Sequence, residues 1–265
     1  LLHHEMNKGV AAARNTAFDR AQGKYFIYVD SDDWVEPNYL EELYNKAEEG
    51  NCDIVGCDLY SEFPNKTVIK EQPLKDNNLD CIRDMLAAKT NGWLWLKMIK
   101  RSLVIENDIS WVDSINICED VLFSVKCFYY AKKIGYLNKP LYHYSHNLGS
   151  YMNTLTNNKG AYQIVSAISE IEQFLLTKNQ ESLLDDMKMQ KLHLKSRFLF
   201  KGDKEVRVKY LSLWPEANTR LCDFKTSKIR KTILYYSIKA PKYATFLLFV
   251  LYALKKMTGR NLFIK

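Results

Sequence analysis

The sequence predicts an α/β fold: a mixed, mainly parallel sheet flanked by helices, followed by a helical C-terminal region. Three observations carry this. KYFIYV (24–29), PNYLEELYNKAEEG (37–50) and CDIVGCDLY (52–60) follow one another as strand, helix and strand, the spacing of a parallel βαβ unit. Beyond Lys159 the composition turns helical, as in AYQIVSAISEIEQFLL and LLDDMKMQKLHLKSRFLF. A chain of 265 residues with 47% hydrophobic content is ample for a real core. Residues 1–155 are read as the α/β domain and residues 156–265 as the helical region.

Along the chain, Arg14–Ala21 (RNTAFDRA) reads as a helix stopped at Gly23, glycine being a common helix terminator. KYFIYV mixes aromatic and β-branched residues without clean alternation, as expected of a strand buried on both faces. Pro37 opens the next helix, on which Leu40, Leu43, Tyr44 and Ala47 share a face and which Gly50 closes. Residues 60–80, with Pro64, Pro73 and polar clusters, read as loop. A helix is expected over 79–88, then a short strand or turn in GWLWLKMIKRSLVIEN that runs into another helix. CEDVLFSVKCFYYAKK is strongly helical, with Leu122, Val125, Phe128 and Tyr129 on one side. IGYLNKPLYHYSHN reads as two short strands broken at Pro140.

The net charge of +7 is local. From Phe224 to Lys265 there are ten Lys/Arg and no Asp/Glu, so residues 1–223 carry a net charge of −3. A nucleic-acid reader spreads basic residues over a folded face, and neither an RNA-binding motif nor a zinc finger occurs, so no nucleic-acid partner is expected. The same tail holds YATFLLFVLYAL (Tyr243–Leu254) followed by Lys255 and Lys256. That run is shorter than the about 20 residues a membrane-spanning helix needs. It suits either a buried terminal helix or an interfacial segment whose lysines meet an anionic membrane surface. The six cysteines form no CxxC pair, which signals neither a zinc site nor a disulfide framework and suits a reducing compartment.

The chemistry concentrates in VDSDDW. Asp30, Asp32 and Asp33 follow the predicted strand directly, at the carboxyl end where α/β sheets collect ligands. Three carboxylates this close repel one another unless protonated or bridged by a cation. Aspartate oxygens suit Mg²⁺ or Mn²⁺, which keep water and phosphate in their coordination shells. Helix capping ahead of Pro37 is the competing reading, but it needs only one of the three.

NKGVAAARN, AQGKYFIYVDSDDWVEPNYLEEL and CEDVLF, in that order, resemble the family 2 glycosyltransferases with the GT-A fold, over roughly residues 5–150. The subset most similar builds bacterial capsule, lipopolysaccharide and exopolysaccharide. The resemblance implies that Asp30 and Asp32 form the DxD element, the first approaching the ribose and the second holding Mn²⁺ or Mg²⁺ on the nucleotide diphosphate, with Asp33 as a supporting partner. It implies that Asn7, Gly9 and Arg14 help hold the nucleotide sugar and that Asp120, beside Glu119, is the general base. WLWLKMIKRSL resembles the family's Trp-x-Lys-Leu-Tyr-Arg-Arg segment and places Trp95 and Lys97 near the donor or acceptor pocket. Trp93 and Trp95 fit the core of a strand equally well. His143 and His146 stand where some relatives place a third metal ligand; histidines in so aromatic a stretch are also commonly structural.

Without that context, Glu119 and Asp120 read as ordinary acidic residues in a helix's first turn, where the dipole favours them, and Arg14 as an exposed helix arginine. Cys118 stands where the family usually has a small residue. Family members also open with a strand, a Pro-Val-Tyr-Asn type loop and an Asp-Asp-Gly-Ser segment that hold base and ribose; these are expected ahead of Leu1 and are not in the sequence. The implied function is an inverting, metal-dependent transfer from a nucleotide-diphosphate sugar, a UDP-sugar above all, to a saccharide or lipid-linked acceptor. Its expected place is cytoplasmic, peripheral on the inner face of the cell membrane. The alternatives are a non-catalytic nucleotide-binding or membrane-associated module and a nucleotidyltransferase with paired aspartates, the latter leaving Glu119 and Asp120 without a role.

Overall fold

A computed structural model describes residues 2–146, 157–243, 246 and 248–250. The chain divides into two compact units. The first comprises Leu1–Met85, Lys89–Ser150 and Gln163–Gln180; the second comprises Leu86–Ala88, Tyr151–Tyr162 and Glu181–Lys265.

The first unit is a mixed sheet with helices against it. Its elements are α1 (Val10–Arg20), β1 (Tyr25–Phe26), β2 (Trp34–Val35), α2 (Tyr39–Gly50), β3 (Ile54–Phe63), β4 (Lys66–Lys70), α3 (Asn78–Leu86), β5 (Lys97–Lys100), α4 (Arg101–Glu106), α5 (Glu119–Tyr130) and β6 (Ile134–Ser145). The strand order is β1-β5-β3-β6-β2, with β4 added on β3. Helix α2 buries Tyr39, Leu43 and Ala47, spaced four apart, against the sheet, and Asn51 in the left-handed conformation (φ 45°) ends it. Strand β3 is the centre: Ile54–Leu59 are buried without a break, and Val55, Cys57 and Leu59 pack with Trp95, Leu96, Met98, Leu141 and Tyr142.

The helices flanking a sheet agree with expectation, but α1 starts at Val10 rather than Arg14, KYFIYV supplies only the two-residue, partly buried β1 at the end of the strand order rather than a strand buried on both faces, and three further details differ. The sheet is not mainly parallel: among the described residues only β3 and β6 run parallel, while the β1–β5, β3–β5, β3–β4 and β2–β6 pairs are antiparallel. Strands β1 and β3 still share a direction, because β5 inserts between them antiparallel to both. Residues 60–80 are not all loop, since β3 turns at Pro64–Asn65 into β4. The exposed faces of Lys66–Ile69 hid that strand from a hydrophobicity reading. Finally, 134–145 is one strand, not two. Pro140 falls where the register to β3 jumps, from Cys57↔Leu137 to Asp58↔Pro140, so its missing N–H is absorbed by a bulge.

Helix α6 (Asn158–Thr177) contributes residues to both units. In the second unit, α7 (Ser182–Lys201), α8 (Lys204–Tyr210) and α9 (Lys228–Lys239) surround a core that includes Leu192, Leu199, Leu211, Phe224 and Leu234. Among the described residues no helix is long and apolar enough to cross a membrane. The remainder of the apolar tail, from residue 251 on, lies outside the described residues.

Candidate active site

The acidic turn is built by its neighbours in space. Asp33 N–H donates to the Asp30 carbonyl at 3.1 Å, which closes the turn. Strand β2 then pairs with β6, Trp34 opposite His143 and Val35 opposite Tyr142. From β6, the Tyr142 hydroxyl accepts from Asp30 N–H at 3.0 Å and donates to Asp33 Oδ2 at 2.9 Å, while Ser145 N–H donates to Asp33 Oδ1 at 2.8 Å. Asp33 is therefore an anchor for the turn. Its burial pushes its carboxyl up, against these two hydrogen bonds. Asp32 is exposed and Asp30 half-buried. Burial, first, and then Asp33, Asp32 and Asp120 push the Asp30 carboxyl up, while Arg14 pulls it down. The effect of Asp120 on Asp30 puts the two predicted acidic sites in one electrostatic neighbourhood.

Glu119 and Asp120 head helix α5, whose preceding residue, Cys118, is left-handed (φ 62°). Asp120 Oδ1 accepts from Val121 N–H at 2.8 Å, a first-turn bond that fixes its carboxylate at the helix end. Glu119 is ion-paired to Arg14 of α1, with both side chains about nine-tenths buried (12% and 11% exposed). Burial and then Asp120 push the Glu119 carboxyl up against the pull of Arg14. The Arg14 guanidinium also lies 5.4 Å from the centre of the Tyr28 ring.

Helix α1 is stitched to the segment that leads into α5. Gly9 has φ 89°, and a Cβ there would fall 2.2 Å from Asn116 Oδ1; only glycine meets both conditions. Asn116 Oδ1 accepts from Ala11 N–H at 2.9 Å and so caps α1 from far along the chain. Asn7 Oδ1 accepts from Gly9 N–H at 2.9 Å, shaping the approach. Asn15 closes the other end of the seam: its Nδ2 donates to the Trp111 carbonyl and Asp113 Oδ1, both at 2.8 Å, and its Oδ1 accepts from Trp111 N–H at 3.0 Å.

Of the sequence-predicted site residues, the structure brings together Asp30, Asp32, Arg14, Glu119 and Asp120, with Asn7 and Gly9 at the head of α1. Trp95 and Lys97 lie behind the turn and are buried. Trp95 stacks between Tyr142 at 4.3 Å and Trp93 at 4.9 Å. Lys97 Nζ donates to the carbonyls of Asn91 (3.1 Å) and Trp93 (2.6 Å), and burial pushes the ammonium down to about 8 despite Asp120. The two histidines have other partners: His143 bridges Glu62 and Glu36 through its two ring nitrogens, and His146 meets Ser61 Oγ at 2.7 Å. Among the described residues no three His, Cys, Asp or Glu side chains converge so as to hold a metal by themselves. Tyr142, Asn116 and Asn15 are the residues missed from the sequence.

The family model "Glycosyl transferase family 2" matches residues 1–106. The match covers two fifths of the chain. Among curated relatives, the chain is 31% identical over 167 residues to the cholesterol galactosyltransferase of Borreliella burgdorferi, covering 57% of this chain and 46% of that one. It is 33% identical over 128 residues to the poly(ribitol-phosphate) beta-glucosyltransferase of Bacillus spizizenii, covering 48% and 20%. The chain thus spans less than half the length of these relatives. In shape it matches S. aureus TarS with a TM-score of 0.62 at 18% identity, over 91% of this chain and 43% of that one. A complex of TarS residues 1–349 with UDP-GlcNAc matches with a TM-score of 0.57 at 16% identity, over 90% and 70%. The shared shape establishes the GT-A-like mixed α/β fold.

Proposed function

We propose that the protein is an inverting glycosyltransferase that moves a sugar from a nucleotide-diphosphate donor, a UDP-sugar, to a saccharide or lipid-linked acceptor in bacterial cell-surface polysaccharide synthesis. One observation carries the reading: the acidic turn and the head of α5 share one corner, in which Glu119 is tied to Arg14 while Asp120 is held by its own helix end. The UDP-GlcNAc bound by TarS and the poly(ribitol-phosphate) in the name of the B. spizizenii relative support the donor and acceptor classes.

In this reading Asp120 takes the proton of the acceptor hydroxyl as its oxygen attacks the anomeric carbon. A positioned carboxylate contributes about 10²- to 10⁴-fold in this way. The bond from that carbon to the diphosphate oxygen breaks on the opposite face, so the anomeric centre inverts. Arg14 holds Glu119 and adds positive charge to an acidic corner. Asn7 and Gly9, at the head of α1, fit a role in holding the nucleotide. Trp95 and Lys97 support the floor of the site from the core.

Asp30 and Asp32 fit a divalent cation, because Asp30 is crowded by like charges and a hard ion needs few protein oxygens when a diphosphate supplies the rest. Bound there, Mn²⁺ or Mg²⁺ would stabilise the charge that develops on the leaving diphosphate. The six cysteines form no disulfide with one another, which suits the cytoplasm, where such donors are made.

The test is turnover of UDP-sugars by the full-length protein with Mn²⁺. Asp120→Asn is expected to lower kcat by about 10²- to 10⁴-fold while UDP still raises Tm. Asp32→Ala is expected to abolish the Mn²⁺-dependent part of that rise; a bound ligand at 100 times its Kd adds about 2.7 kcal/mol of stability in all. Undiminished turnover in both variants would refute the roles of Asp120 and Asp32.

A further inference from the structure

We propose that the solvent-facing side of α9 docks on an anionic phospholipid bilayer, a role that does not depend on the transfer chemistry. Helix α9 turns Ile233, Leu234 and Ser237 into the core of the second unit. Its opposite side carries Lys228, Ile229, Thr232, Tyr235, Tyr236 and Lys239, at positions that fall on one helical stripe. Two lysines bracket two tyrosines: Tyr236 is 56% exposed, and Lys239 Nζ lies 5.7 Å from the centre of the Tyr235 ring. The chain that follows adds more rings, with Tyr243 and Phe246 exposed and Phe249 69% exposed.

Charge selects the occupant. No acidic residue occurs from Phe224 to Lys265, against ten basic ones. A second copy of this face would bring lysine onto lysine, whereas an anionic surface meets only complementary charge, each lysine near it contributing about fivefold to affinity. Tyrosine beside lysine is also the pair suited to headgroup depth, where the ring sits in the interface and the ammonium reaches water or phosphate. The proposed contact is interfacial, with the rings at headgroup depth and α9 lying along the surface.

The test is co-sedimentation of the full chain with vesicles of phosphatidylcholine containing about 30% phosphatidylglycerol and with pure phosphatidylcholine. Binding is expected to the anionic vesicles, to weaken steeply between about 0.1 and 0.5 M salt as in ordinary screening, and to be slight on the neutral ones. K228E/K239E is expected to weaken it at least about thirtyfold, two lysines' worth of attraction. Y235S/Y236S is expected to weaken binding to both vesicle types. Equal binding to neutral and anionic vesicles, no binding to either, or full binding by the charge-reversed chain would overturn the proposal. Lipid-free self-association lost in Y235S/Y236S would assign the face to a second copy instead. Should either variant fail to fold, the salt titration of the unaltered chain decides.

Discussion

Tyr142 holds both ends of the acidic turn, accepting from the Asp30 N–H at 3.0 Å and donating to Asp33 Oδ2 at 2.9 Å. One hydroxyl from β6 thereby sets where Asp30 stands relative to Asp33, and with it the shape of the corner that faces Asp120.

Tyr142→Phe keeps the stack on Trp95 and removes that hydroxyl. Two polar groups lose their partner at a fully buried position, which should cost about 1–3 kcal/mol and lower Tm by several degrees. Turnover should fall further than stability explains, because Asp30 is released. Ser145→Ala is the control: its backbone N–H still donates to Asp33, so Tm and turnover should stay near those of the unaltered chain. Calorimetry and steady-state rates on both variants check the pair.

Gly9→Ala meets two obstacles at once, a φ of 89° and the Asn116 side chain. The expected cost is about 1–3 kcal/mol. Asn116→Ala opens the space but orphans Ala11 N–H, so the two substitutions should combine to less than their sum. A double-mutant cycle from urea midpoints measures this. Strict additivity would mean that Asn116 moves away freely and does not hold the head of α1.

Lys97 gives a signed dependence on pH. Burial holds its folded-state pKa at about 8, below the ordinary 10.5. Between those values the unfolded chain binds more protons, so this group's contribution to stability rises with pH. Comparison with Lys97→Met isolates it: the stability difference should move in favour of the unaltered chain by about 3 kcal/mol across the window. Parallel stability–pH curves for the two proteins would show that the ammonium is not buried.

The helices were legible because they advertise themselves locally. Leu43 and Ala47 repeat at helical spacing, and Glu119 and Asp120 mark the start of α5. The acidic turn was legible for the same reason, since three aspartates at a strand's end are conspicuous in any context. What the chain concealed depends on partners far away. Nothing near Tyr142 says that its hydroxyl meets Asp30, 112 positions earlier. Nothing near Gly9 says that Asn116, far along the chain, lies against it. Strand β4 was hidden by its exposed, lysine-flanked sequence, and the antiparallel β5 by its insertion between two strands that the βαβ spacing implied were neighbours. Trp95 and Lys97 were visible as residue types, but burial, which only the fold supplies, sets them under the site.

The distant cap on α1 has a consequence for how the chain matures. Ala11 leaves the ribosome 105 residues ahead of Asn116, roughly 5–20 s at ordinary translation speeds. Throughout that interval α1 has no lid for its first amides and no acidic mate for Arg14. The corner that joins the two carboxylate sites is therefore among the last parts of the first unit to assemble, and a nascent chain stalled before residue 116 would emerge with Arg14 and the acidic turn made but unplaced.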